Sequence, residues 1–165
     1  MEKAIRGESV GDHCQECTGV WVDKYKNVYV TDSGRSHVKK WLFETNKSVV
    51  VAGQTDERGP ESNRLNIPDG IYVDSRDESL YIADTMNHRI QKWTKGAQQG
   101  IRVAGAKEHT SGHDASTLSR PQAVWIDEET KVVYVVDTNN NRIQRWLPNV
   151  SQGETIVGRI GKIKA

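Results

Sequence analysis

Cys14 and Cys17 stand in a C-x-x-C arrangement beside His13, and His109 and His113 follow at H-x3-H spacing. Thiolates and imidazoles at such spacings are the ligands of zinc sites, but a closed structural site needs four ligands together. Free cysteine also packs as a small hydrophobe. Cys14 is expected to take the place of a core leucine in this way, with a disulfide and half a metal site as the alternatives. Gly7-Glu8-Ser9-Val10-Gly11 spells the G-x-S-x-G elbow of serine hydrolases. That motif requires a strand before it and a helix after it, and no helical period follows Ser9, so the match is expected to be fortuitous. Asn46-Lys47-Ser48 and Asn149-Val150-Ser151 fit the glycosylation sequon and are expected on exposed loops. No acid–base pair or oxyanion arrangement can be named, so no catalytic residue is assigned and no cofactor is expected.

The elements that position these residues come from a repeat. Asp32, Asp84 and Asp137 each close an apolar run, VYVTD, LYIAD and VYVVD, at intervals of 52 and 53 residues. Trp41, Trp93 and Trp146 follow at the same intervals, as do Gly53, Gly105 and Gly158. An earlier aspartate, Asp23, Asp74 and Asp127, recurs with one residue fewer between the first pair, which places the deletion in a turn. In the second unit, Gly70–Asp74, Leu80–Asp84, Arg89–Trp93 and Ile101–Gly105 read as four short strands separated by polar turns. No segment holds a helical period. The sequence therefore predicts an all-β fold of three four-stranded antiparallel units. Stacking the sheets face to face would bury both apolar faces, with each tryptophan across the gap between neighbours. The Asp/Asn/Arg set after each second strand is expected to be scaffold. Its Asp and Asn side chains can bond nearby backbone N–H groups, and an arginine two or three residues on can pair with the aspartate.

Composition excludes some classes. With 23 basic and 22 acidic residues, the net charge of +1 gives no strongly basic or acidic character. The apolar fraction is 35% and the mean hydropathy −0.71, so the core must be thin and repetitive or completed by other segments. Met1 to Val10 contain no apolar h-region, so no signal peptide is expected. No apolar run is long enough for a transmembrane helix. Localisation stays unassigned.

Leu80-Tyr81-Ile82-Ala83-Asp84-Thr85, followed by Asn87-His88-Arg89-Ile90, resembles the NHL repeat, and Pro68–Asp74 matches its P-x-G-I/V-x-V-D segment. Pro121–Asp127 repeats that segment with Ala123 at the glycine position. The unit length exceeds that of WD40 repeats, whose WD signature is absent and whose GH pair occurs once only, as Gly112-His113, and the Gly-Gly pair of kelch repeats is also absent. The first unit departs from the pattern. Arg35 stands at the position of Asn87 and Asn140, His37 at that of Arg89 and Arg142, and Cys14 and Cys17 at those of Leu65 and Pro68.

The resemblance implies an NHL-type β-propeller, of which three blades are about half of a six-bladed ring. Segment 1–13 would end a preceding blade or form a linker, with Ala4–Gly7 resembling a fourth strand. Residues 14–53, 54–105 and 106–158 would be the blades, and 159–165 a tail. The chain would then be part of a longer array, or would self-associate to complete a ring. The resemblance further implies a non-catalytic module that binds a protein partner through its loop face. The residues that vary there between blades are Gly34, Arg35, Met86, His88, Asn139 and Asn141. Two alternatives come from the same family. One is RNA binding through basic residues near the third strands: Lys39, Lys40, Arg89, Lys92, Arg142 and Arg145. The other is part of a zinc-dependent enzyme resembling the peptide-amidating lyases.

Overall fold

A computed structural model of the chain describes residues 13–158. The expectations for segments 1–12 and 159–165, including the G-x-S-x-G letters and the Ala4–Gly7 strand, lie outside those residues. Each unit folds as one antiparallel sheet with its strands in chain order. Blade 1 holds β1 (Cys17–Val22), β2 (Val28–Asp32), β3 (His37–Leu42) and β4 (Lys47–Gly53). Blade 2 holds β5 (Pro68–Val73), β6 (Leu80–Asp84), β7 (Arg89–Trp93) and β8 (Ile101–Ala104). Blade 3 holds β9 (Pro121–Ile126), β10 (Val133–Asp137), β11 (Arg142–Trp146) and β12 (Glu154–Gly158).

Alternation along a strand gives each sheet two apolar faces, and the blades bury them against one another. The seam between blades 1 and 2 joins Tyr29, Val38 and Ala52 to Ile71, Val73, Leu80, Ile82 and Trp93. The seam between blades 2 and 3 repeats it, with Tyr72, Tyr81, Ala83 and Ile90 against Val124, Ile126, Val133, Val135 and Trp146. Each buried tryptophan packs into the seam with the preceding blade, as the spacing predicts. Trp93 is 1% exposed and Trp146 is fully buried. Trp41 lies on the outer face of blade 1 and is only half-buried.

First strands of neighbouring blades lie against one another, and fourth strands lie at the rim. The approach is close enough to require glycine. A Cβ on Gly70 would come within 2.5 Å of the Gln122 carbonyl oxygen, and one on Gly19 within 2.4 Å of that of Asp69. Ala123, at the same position in blade 3, is exposed. Hydroxyls stitch the blades together along this line. Ser33 donates to the Pro68 carbonyl, and Thr85 to that of Pro121 at 2.7 Å. An aromatic ladder runs beside them, with Trp21 4.4 Å from Tyr72 and Tyr72 6.1 Å from Trp125 between ring centroids.

Truncating a seam tryptophan leaves a large cavity between two sheets. Trp93→Ala is expected to cost about 3–5 kcal/mol in denaturant unfolding. Trp41→Ala, at a half-buried site, is expected to cost clearly less; equal losses would show that the seams do not carry the stability.

Candidate partner-binding face

The turn after each second strand is a rigid clamp. In blade 2 a single 3-10 turn, Thr85–Asn87, ends in His88 with φ 52° and ψ 40°. In blade 3 Thr138–Asn140 ends in Asn141 with φ 50° and ψ 44°. The buried Asp84 carboxylate accepts from Arg89 Nε at 2.7 Å, Asn87 Nδ2 at 2.9 Å and the Asn66 N–H at 2.7 Å. The Arg89 guanidinium then donates to the carbonyls of Pro60, Glu61 and Arg64 at 2.6, 3.0 and 3.2 Å. Asn87 adds a bond to the Gly59 carbonyl at 2.8 Å. One ion pair thus holds most of the loop that leads into blade 2.

Blade 3 repeats this atom for atom. Asp137 accepts from Arg142 Nε at 2.7 Å, Asn140 Nδ2 at 2.8 Å and the Ser119 N–H at 2.6 Å. Arg142 reaches the carbonyls of His113, Asp114 and Thr117 at 2.8, 2.8 and 2.9 Å. The Asp/Asn/Arg set is scaffold in both blades, because its side chains bond one another and the backbone of the loop that leads into the blade. Full burial pushes the Asp84 carboxyl up to about 6, against the opposing pull of Arg89, Asn87 and the Asn66 N–H, and it stays ionised at neutral pH.

Blade 1 lacks the arginine and solves the same problem differently. Cys14 and Cys17 are joined in a disulfide with Cα atoms 5.8 Å apart. This corrects the expectation of a free, buried thiol. Leu65 and Leu118 are buried in seams with a preceding blade, whereas Cys14 is exposed on the outer face of blade 1. Asp32 accepts the N–H groups of Gln15 at 3.0 Å, Glu16 at 3.2 Å and Arg35 at 3.2 Å, so the bridged strap hangs from it. Burial works against the ionised Asp32 carboxyl, and those three donors outweigh it and hold it below its usual range. His37 sits fully buried in the arginine position, 3.9 Å from Asp32 and bonded to the Thr55 hydroxyl at 2.9 Å. Burial and the Lys39 charge, aided by Arg35, hold its imidazole below 6.5 against the opposing pull of Asp32 and Asp56.

The six residues singled out in the sequence all lie on these turns. Gly34, Arg35, Met86 and His88 are half-buried, and Asn139 and Asn141 are exposed. Backbone bonds tie the tips to the connecting loops, from the Met86 N–H to Asn66 and from the Asn139 N–H to Ser119. His88 has a second duty that sequence reasoning missed. Its Nδ1 accepts the Arg120 N–H at 3.1 Å, locking the blade 2 turn to the loop that leads into blade 3. Its left-handed equivalent in blade 1, Ser36, makes a longer version of the same joint, its hydroxyl accepting the Ile67 N–H at 3.5 Å. His109 lies 3.4 Å from Arg89, and His113 contributes its carbonyl to Arg142. Among the described residues, no three His, Cys, Asp or Glu side chains are placed to hold a metal ion.

Removing one partner of a buried pair leaves the other charge uncompensated. Arg89→Met is expected to destabilise by about 3–5 kcal/mol and to open the 54–67 loop to proteolysis. Protease resistance at the wild-type level would refute the clamp. His37 titrates below its unfolded value of about 6.5, so its share of stability is complete above that pH and is lost as pH falls through the folded value. The stability difference between the wild type and His37→Gln is therefore expected to shrink between pH 7.5 and 5. Comparing the two proteins cancels the opposite contribution of Asp84.

Comparison with known proteins agrees with this geometry. The NHL repeat family model matches residues 65–93, which run from the loop into blade 2 to the seam tryptophan. NHL repeat-containing protein 2 of Gallus gallus is 33% identical over 101 residues, covering 59% of this chain and 14% of that protein. A Caenorhabditis elegans protein named as a probable peptidyl-alpha-hydroxyglycine alpha-amidating lyase is 26% identical over 137 residues, covering 82% of this chain and 38% of its own length. The chain thus spans well under half of either relative. A chain in the crystal structure of a nidogen/laminin complex superposes with a TM-score of 0.64 at 16% identity, over 86% of this chain and 48% of that one. With its sheets in register and its turn residues matched, this chain carries an NHL repeat at residues 65–93 within an all-β fold of propeller-type blades.

Proposed function

We propose that this chain is a non-catalytic interaction module that binds a protein partner through the face formed by the turns after the second strands and the loops between blades. One observation carries the reading. On that face the clamp residues are buried and repeated, while Gly34, Arg35, Met86, Asn139 and Asn141 differ from blade to blade and reach the surface. Positions that hold the fold are fixed by it, and positions free of that duty can be shaped to a partner. His88 contributes its exposed edge to the same face.

The basic residues near the third strands give little support to RNA binding. Arg89 and Arg142 are buried in their clamps. Lys40 is 3.7 Å from both Asp23 and Glu78, and Arg145 pairs with Glu154. The relationship to a lyase makes zinc content the discriminating measurement for a catalytic role.

The outer faces bear on self-association. Blade 1 presents Val20, 65% exposed, and Trp41 where the inner blades present seam residues, and blade 3 presents Trp125, 53% exposed, and Val136. We infer that a further blade covers them, supplied by a longer chain or by a second copy. Light scattering separates these, because a stable dimer of this chain requires the second copy.

A photo-cross-linking residue placed at Met86 or Asn139 is expected to capture a protein partner, and Arg35→Glu to reduce the yield. The same residue at Thr94, at the opposite end of blade 2, serves as the control. Capture from Thr94 alone, nuclease-sensitive and salt-sensitive capture, or stoichiometric zinc in the purified chain would each replace this reading with another.

A further inference from the structure

The two seams each open into a cleft at the end of the blades opposite the clamp face, and the clefts differ in charge. The first, about 160 Å³, is closed by an internal carboxylate. Glu78 reaches Lys95 at 2.7 Å and Lys40 at 3.7 Å, and Lys40 has Asp23 on its other side at 3.7 Å. The second cleft is about 320 Å³ and occupies the equivalent place between blades 2 and 3. There Lys131 replaces Glu78, both at left-handed turn positions with φ 60° and 56°. Lys131 pairs with Asp74, the equivalent of Asp23. Lys92, the equivalent of Lys40, thereby loses both of its carboxylates. It keeps the face of Tyr81, 5.4 Å from the ring centroid, and a distant approach of 4.0 Å to Asp77, which is itself half in solvent.

The walls change in the same direction. Leu147 and Pro148 stand in place of Thr94 and Lys95, and Ile101 and Val150 are exposed beside them. Arg102 also lines this cleft, with one nitrogen donating to the Gly105 carbonyl. A volume near 300 Å³ is the lower end of what small-ligand sites offer.

The geometry points to the second cleft as a binding site for a small aliphatic carboxylate of medium chain length. Its carboxylate takes the place beside Lys92 that Glu78 fills in the first cleft, where the neighbouring Lys131 ammonium is already compensated by Asp74 and brings no competing carboxylate of its own. Its hydrocarbon tail lies along Ile101, Leu147 and Val150, covering apolar surface that is otherwise exposed. The first cleft supplies the internal comparison, because its own glutamate already occupies the anion position. The site is independent of the partner-binding face.

The test is calorimetric titration of the 165-residue chain with octanoate, backed by amide chemical shifts. Saturable one-to-one binding is expected, weaker for butyrate and absent for octyltrimethylammonium, with shifts at Lys92, Ile101 and Leu147. Lys92→Gln keeps the packing over Tyr81 and is expected to weaken binding about fivefold, the scale of one partly exposed ion pair. Leu147→Thr copies the first cleft, so it preserves the fold, and is expected to weaken binding by a similar factor through lost apolar contact. Absence of saturable binding, affinity unchanged in both variants, or shifts confined to the first cleft would overturn the proposal. So would binding of a peptide with a free C-terminal carboxylate when octanoate does not bind.

Discussion

A sheet of four short strands cannot keep two apolar faces in water, and the arrangement of this protein follows from that constraint. Each strand is too short for a hydrophobic core of its own. Stacking the sheets supplies one, with a tryptophan in each seam as the largest buried group. First strands must then crowd together, which is why Gly19 and Gly70 face backbone carbonyls at distances that no side chain tolerates.

The seam also dictates the loops. A chain that leaves the rim of one blade must return to the innermost strand of the next, and this crossing has no sheet to pair with. Its carbonyls and amides are satisfied by a side-chain cluster instead. Asp84 with Arg89, and Asp137 with Arg142, meet that need from inside the protein, where each charge is compensated by the other. Blade 1 reaches the same end with a neutral histidine and a covalent bridge. The disulfide does for the strap what a leucine in a seam and an arginine on carbonyls do elsewhere.

Function can then be sought where the repeats disagree. The tips of the turns vary on one face, and the substitution of Lys131 for Glu78 alters the charge of a cleft on the other. In a repeat protein each blade is a control for its neighbours. A difference that leaves the backbone unchanged marks a local role, either in pairing a neighbour, as Lys131 pairs the buried Asp74, or in meeting a ligand.

The sequence by itself determined the strands, the antiparallel order and the seam tryptophans, because period-two alternation and a unit repeated three times report directly on burial. It also determined that the Asp/Asn/Arg set is scaffold, since a site needs its special residues once. Tertiary structure alone decided the fate of Cys14: whether a cysteine replaces a core leucine depends on what lies across the seam, which no spacing along the chain reveals. It alone showed that His88 is a joint and that Lys131 rather than Lys92 pairs with Asp74, because those facts depend on residues 32 and 57 positions apart meeting across a gap. Local sequence fixes which face a side chain takes, but the partner it meets there is set by how the blades stack.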